Sequence, residues 1–149
     1  MAKSICAGVV LCYKNKILIC RSTKSKMLDG SEVWGFPKGH QDEEDNGDTL
    51  TTALRELEEE TGVSKDYLDL ENIWNRLRYS TARKNITMYF IEVDIKVYNF
   101  PFICNSIVKD RDYPEIDKFI WVTVSEARSY VKNHMKYIIN SFPSQYTGS

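Results

Sequence analysis

Residues Arg55-Glu56-Leu57-Glu58-Glu59-Glu60-Thr61-Gly62-Val63 place three acids on one face of a single helical turn. At about 3.6 residues per turn, Glu56, Glu59 and Glu60 (i, i+3, i+4) project together, while Glu58 points elsewhere. Leu50, Ala53, Leu54 and Leu57 recur at the same spacing and form an apolar stripe roughly opposite the acids. The segment is therefore a helix with one face to bury and one to present. Asp48 or Thr49 is the candidate cap at its start, and Gly62 fits the left-handed residue that closes it. Three crowded carboxylates repel one another unless a cation sits among them, and hard oxygen ligands of this kind suit Mg²⁺ or Mn²⁺. A solvated acidic face is the plainer alternative. The surrounding order weighs against it: Arg55 precedes the acids, Gly62 follows them, and Gly35-Phe36-Pro37-Lys38-Gly39-His40 lies upstream. Arg55 stands one turn before Glu59, within reach to pair with it and fix a carboxylate's orientation.

This arrangement resembles the Nudix box, whose pattern is Gly, five residues, Glu, seven residues, Arg-Glu, an apolar residue, any residue, Glu-Glu, any residue, Gly and an apolar residue. Every defined position from Arg55 to Val63 matches. The first half is longer, with fifteen residues between Gly39 and Arg55 where the pattern has thirteen. Counting forward from Gly39 puts the first acid at Asp45; counting back from Arg55 reaches Gly47, beside Asp48. The simplest reading is a longer loop before the helix, with Asp48 as a shortened, shifted substitute for the missing Glu.

The resemblance implies an α/β/α sandwich with a mixed sheet covering essentially the whole chain, and a metal-dependent attack of water on a phosphate. Glu56 and Glu60 are the first-choice metal ligands, Glu59 a third ligand or the general base, and the Gly39 carbonyl an additional ligand. Lys38 and His40 fall where phosphate contacts are expected. Arg78, Arg83 and Lys84 are further phosphate candidates, with a solvated hairpin as their bland alternative. The run Pro114-Glu115 before Phe119-Ile120-Trp121 resembles the late acid and aromatic of asymmetric diadenosine tetraphosphate hydrolases, which makes Glu115 a ligand or base candidate; Asp112 and Asp117 are its substitutes. Tyr79, Tyr89 and Phe119 are candidate platforms for a nucleobase, although core packing explains them equally, and Tyr89 better. The same branch is indicated by Pro37-Lys38-Gly39-His40 and by the stretch from Arg78 to Tyr89. It implies cleavage of diadenosine tetraphosphate to ATP and AMP by attack at the fourth phosphate. Trp34 to Gly39 also resembles mRNA decapping hydrolases, the second reading. A nucleotide-binding module without turnover is the third, and the three retained acids argue against it.

Composition sets the bounds. The chain has 149 residues, a formal net charge of −1, 42% hydrophobic and 28% charged residues, enough for one core. Residues 1–143 are expected to form a single domain and 144–149 a flexible tail. The near-zero charge speaks against a nucleic-acid coat or a polybasic membrane surface, so no stable nucleic-acid partner and no membrane is expected; the small dinucleoside polyphosphate partner is what the resemblance implies. A monomer is expected. Cys6, Cys12, Cys20 and Cys104 make no CxxC pair, and Cys12 and Cys20 lie in apolar runs, which reads as buried thiols in a reducing compartment. No stretch approaches membrane-spanning length, so the expected location is cytoplasmic, with nuclear entry open at this size.

Along the chain, Ser4 to Tyr13 and Lys16 to Arg21 read as strands turned at Asn15, Ser22 to Glu32 as a loop, and Val33 to Pro37 as a short strand. Leu70 to Tyr79 and Ile86 to Val97 read as a hairpin around Thr81 to Asn85. Phe100 to Asp117 is irregular and Phe119 to Val122 a strand. Ser125 is the expected cap of a last helix reaching about Ile139, with Ala127, Val131, Met135 and Ile138 inside.

Overall fold

The computed structural model describes residues 2–109, 111–143 and 146. Its centre is β1 (Ser4–Tyr13), which is apolar on both faces and buried on both. Cys6, Val10 and Cys12 face one core, and Ala7, Val9 and Leu11 the other, as the period of two requires. β1 pairs in parallel with β6 (Lys84–Glu92) and antiparallel with β2 (Lys16–Ser22), the latter only at the turn, through Cys12 and Ile17 and through Tyr13 and Lys16. Beyond that hairpin the two strands take different neighbours. β2 pairs with β3 (Trp34–Gly35) and along its length with β7 (Ile116–Thr123), whereas β1 takes β4 (Lys38–His40), with Cys6 opposite His40 and Gly8 opposite Lys38. β5 (Ile73–Ser80) completes the seven-stranded mixed sheet as the antiparallel partner of β6.

Helices cover both faces. α2 (Thr49–Thr61) lays Ala53, Leu54 and Leu57 on one core. α4 (Val124–Tyr130) and α5 (Lys136–Asn140) cover the other with Ala127, Ile138 and Ile139, helped by Val131, Met135 and Phe142. This is the expected α/β/α sandwich. Asp48 caps α2 by accepting a hydrogen bond from the Leu50 N–H (3.2 Å), and Gly62 ends it in the left-handed region at φ +84°.

Several local expectations are corrected. Thr23–Asp29 is a helix, α1, where a loop was expected. Pro37 separates two short strands rather than ending one, because the backbone leaves β2 at Gly35 and joins β1 at Lys38. β6 stops at Glu92; Asp94 then accepts from the Lys96 and Val97 N–H groups and starts a short helix, α3 (Ile95–Tyr98). Leu70–Asn72 is a 3-10 turn before β5. The last helix is broken: Thr123, not Ser125, caps α4 in a reciprocal pair with Glu126, and Val131 turns extended to bridge with Trp34. The four residues expected inside are all buried nonetheless. The expected tail lies outside the described residues except for Tyr146, whose ring stacks on Trp74 at 5.6 Å.

Gly62 is the position where the backbone demands glycine, and an added Cβ would meet Ile103 at 3.4 Å. Gly62→Ala is expected to lower stability by about 1 kcal/mol or more in urea unfolding. An unchanged midpoint would contradict that reading of the helix end.

Candidate active site

α2 presents its acids toward β4, and the closeness of the two elements depends on Gly39. A Cβ there would overlap the Glu56 carboxylate, so only glycine lets that carboxylate lie against the β4 backbone. Glu56, Lys38, Gly39 and His40 line one cavity of about 360 Å³, together with Cys6 from β1, Lys84 from the start of β6 and Glu115 from the segment before β7. Carboxylates and lysines thus share one concave site. Of the residues expected from sequence, these six come together here: Lys38, Gly39, His40, Glu56, Lys84 and Glu115.

Glu60 lies beneath Glu56. It is 4% exposed, its Oε2 has no hydrogen-bond partner, and the two carboxyls hydrogen-bond to each other. Burial pushes the Glu60 carboxyl well above the usual range, reinforced by Glu56 and Glu115; burial raises Glu56 as well. On the opposite wall, burial and the neighbouring Lys84 lower the Lys38 ammonium. Lys38 and Lys84 repel each other, and an anion between them would relieve both.

Arg55 organises the helix face. Its Nη1 donates to Glu56 (2.7 Å) and more weakly to Glu59 (3.4 Å). Its Nη2 donates to the His40 carbonyl (2.9 Å) and, with Nε, grips Asp45 through both carboxylate oxygens (2.9 and 3.2 Å). The expected Arg55–Glu59 pair is therefore the longest of its carboxylate hydrogen bonds, and Glu59 does not line the cavity. Asp45 is buried, and the Arg55 guanidinium holds its carboxyl far below the usual range. Of the two candidate loop acids, Asp48 caps the helix and accepts from Thr51 (2.6 Å), while Asp45 reaches Arg55. The two extra loop residues are accommodated by a 3-10 turn, Glu43–Asp45, followed by Asn46 and Gly47 in the left-handed region.

The aromatic candidates fare differently. Tyr89 is buried under α2 with its hydroxyl bonded to Thr49 (2.6 Å), so it is a core residue and no platform. Phe119 packs beside Phe102, with ring centroids 5.6 Å apart. Tyr79 lies beside Tyr137 at 5.6 Å with its hydroxyl buried and unpaired. Arg83 and Arg78 are exposed and do not line the cavity. Sequence reasoning missed Cys6, whose Sγ lies 3.5 Å from His40 Nδ1; only the β1–β4 register brings them together.

The donor set fits a divalent cation: hard oxygens throughout, one of them orphaned in a buried carboxylate, and glycine clearance for the other. Among the described residues no three His, Cys, Asp or Glu side chains stand in a ligating cluster. No helix among the described residues is long and apolar enough to cross a membrane.

The raised Glu60 carboxyl carries a sign. Unfolded, Glu60 titrates near the ordinary glutamate value; folded, it keeps its proton to higher pH. Above the ordinary range the folded state binds more protons than the unfolded state, so stability falls as pH rises. With chelator present, urea unfolding of the wild type is expected to lose stability between about pH 5.5 and 8, at no more than about 1.4 kcal/mol per pH unit from this group. Glu60→Gln removes that contribution. Equal slopes for the two proteins would contradict the burial argument.

The NUDIX domain family model matches residues 3–142. The mouse asymmetrical bis(5'-nucleosyl)-tetraphosphatase is 34% identical over 100 residues, covering 66% of this chain and 61% of the mouse protein. An mRNA-decapping protein of African swine fever virus is 28% identical over 130 residues, 72% of this chain and 51% of the viral protein. The chain thus spans between half and two thirds of the length of these relatives. Among solved structures, a C. elegans Ap4A hydrolase binary complex superposes with a TM-score of 0.66 at 18% identity, covering 98% of this chain and 99% of that one. The match over nearly the whole chain, on a fold with the box acids against β4, places this protein in the NUDIX domain family.

Proposed function

We propose that this chain hydrolyses dinucleoside polyphosphates in a metal-dependent reaction, converting diadenosine tetraphosphate to ATP and AMP. The observation that carries the reading is the single cavity in which Glu56 and Glu115 face Lys38 and Lys84, with buried Glu60 behind Glu56. The likeness to the tetraphosphatases supports the substrate class.

Glu56 and Glu60 are the proposed holders of Mg²⁺ or Mn²⁺, with the Gly39 carbonyl beside them. The bound ion would neutralise phosphate charge, polarise the phosphorus and lower the pKa of a water. Lys38 and Lys84 receive phosphate oxygens, and their mutual repulsion favours an anion between them. His40, exposed at the rim, contacts a further phosphate. Arg55 holds Glu56 through its Oε2 and so acts as a positioning residue. Glu115, which lines the same cavity, is the proposed acceptor of the water's proton; Glu59, turned toward Arg55, fits that task less well. A second reading, removal of an mRNA cap, rests on the likeness to the viral decapping protein.

Chromatography of products formed in ¹⁸O-water with Mg²⁺ tests the proposal. ATP and AMP are expected from diadenosine tetraphosphate, with the label in AMP. Two molecules of ADP, or no turnover, would sink it, and preferential release of a methylated nucleoside diphosphate from capped RNA would establish the second reading. Glu56→Gln and Glu60→Gln are each expected to lower kcat by about 100-fold or more, and Glu58→Gln to leave it nearly unchanged.

A further inference from the structure

A second concavity adjoins the first. It has a volume of about 610 Å³ and is lined by Ser22, Lys24, His40, Val108, Lys109, Glu115 and Ile116. His40 and Glu115 belong to both cavities, so the two share a rim rather than standing apart. The volume lies within the range of small-molecule sites, about 300–1,000 Å³.

Its walls are fixed by backbone. The Thr23 N–H donates to the Glu115 carbonyl (2.9 Å), and the Glu115 N–H to the Ser106 carbonyl (2.8 Å). The Val108 N–H donates to the Tyr113 carbonyl (3.1 Å), Ile107 bridges to Pro114, and Ser22 pairs with Ile116 across β2 and β7. These bonds tie the start of α1, which carries Lys24, to the segment before β7, and Lys109 lines the same cleft. Both lysines are exposed, and neither enters a hydrogen bond or ion pair among the described residues. Buried Val108 and half-buried Ile116 add apolar lining to the cleft.

Lys38 and Lys84 in the first cavity and Lys24 and Lys109 in the second make a cationic path across the shared rim. A substrate bearing one nucleoside needs only the first cavity, whereas a polyphosphate with a nucleoside at each end has a second arm to place. Two lysines beside an apolar floor match one nucleoside phosphate better than an extended RNA strand, which would need a longer basic track.

We propose that this second cleft is the subsite for the distal nucleoside phosphate of a two-armed polyphosphate substrate. The inference rests on the hydrolase reading above. It assigns specificity for the second arm to Lys24 and Lys109, away from the acids that would hold the metal.

The test compares wild type with the double variant Lys24→Glu, Lys109→Glu on two substrates: diadenosine tetraphosphate and adenosine 5'-tetraphosphate, which lacks the second nucleoside. The double variant is expected to raise KM for diadenosine tetraphosphate about tenfold with kcat nearly unchanged, and to shift KM for adenosine tetraphosphate by no more than about threefold. An equal rise for both substrates would reduce the lysines to general attraction and overturn the proposal. So would no change for either. A wild type that turns over neither nucleotide would defeat the hydrolase reading itself and the subsite with it, an outcome distinct from the others.

Discussion

The guanidinium of Arg55 joins three parts of the chain that the sequence keeps apart. It grips Asp45 in the loop, the Glu56 carboxylate on α2 and the His40 carbonyl at the end of β4. Its planar fork can serve all three at once because its donors point in fixed, divergent directions, which an ammonium could not reproduce. Through these bonds the lengthened loop, the acidic helix face and β4 acquire one geometry. Gly39 makes the same contact possible from the other side, since any side chain there would displace Glu56.

On that frame the protein tolerates an unfavourable group. Glu60 is buried with an unpaired oxygen and a neighbouring carboxyl, an arrangement that costs stability unless protonated or neutralised. A site whose acids are strained apart from their counter-charge gains most from a divalent ion, because binding offsets both the repulsion and the desolvation. Desolvated Lys38, with Lys84 beside it, has the complementary defect, and an anion would relieve it. The stability deficit and the proposed activity therefore have one origin.

Much of this was legible in the sequence where spacing is local. The stripe from Leu50 to Leu57 placed the helix, Gly62 its end, and the i, i+3, i+4 acids its working face. What the sequence left open or missed depends on contacts across the chain. Asp45 lies ten residues from Arg55, and only the left-handed turn at Asn46 and Gly47 brings it under the guanidinium. Cys6 enters the cavity by its pairing with His40. Tyr89 alternates with core residues on β6, and the period of two does not say which face looks at a ligand and which at α2. The late helix breaks at Val131, which turns extended and bridges to Trp34, a tertiary contact that no local propensity encodes.

The central claim is that Glu56 and Glu60 are held in readiness for a divalent ion. Its most direct test is a Mn²⁺ titration of the wild type and Glu60→Gln, followed by the loss of the free-ion paramagnetic resonance signal. The account predicts saturable binding by the wild type and affinity at least about tenfold weaker in the variant. Equal affinities would mean that the buried carboxylate serves the fold alone, and the metal site would have to be sought elsewhere.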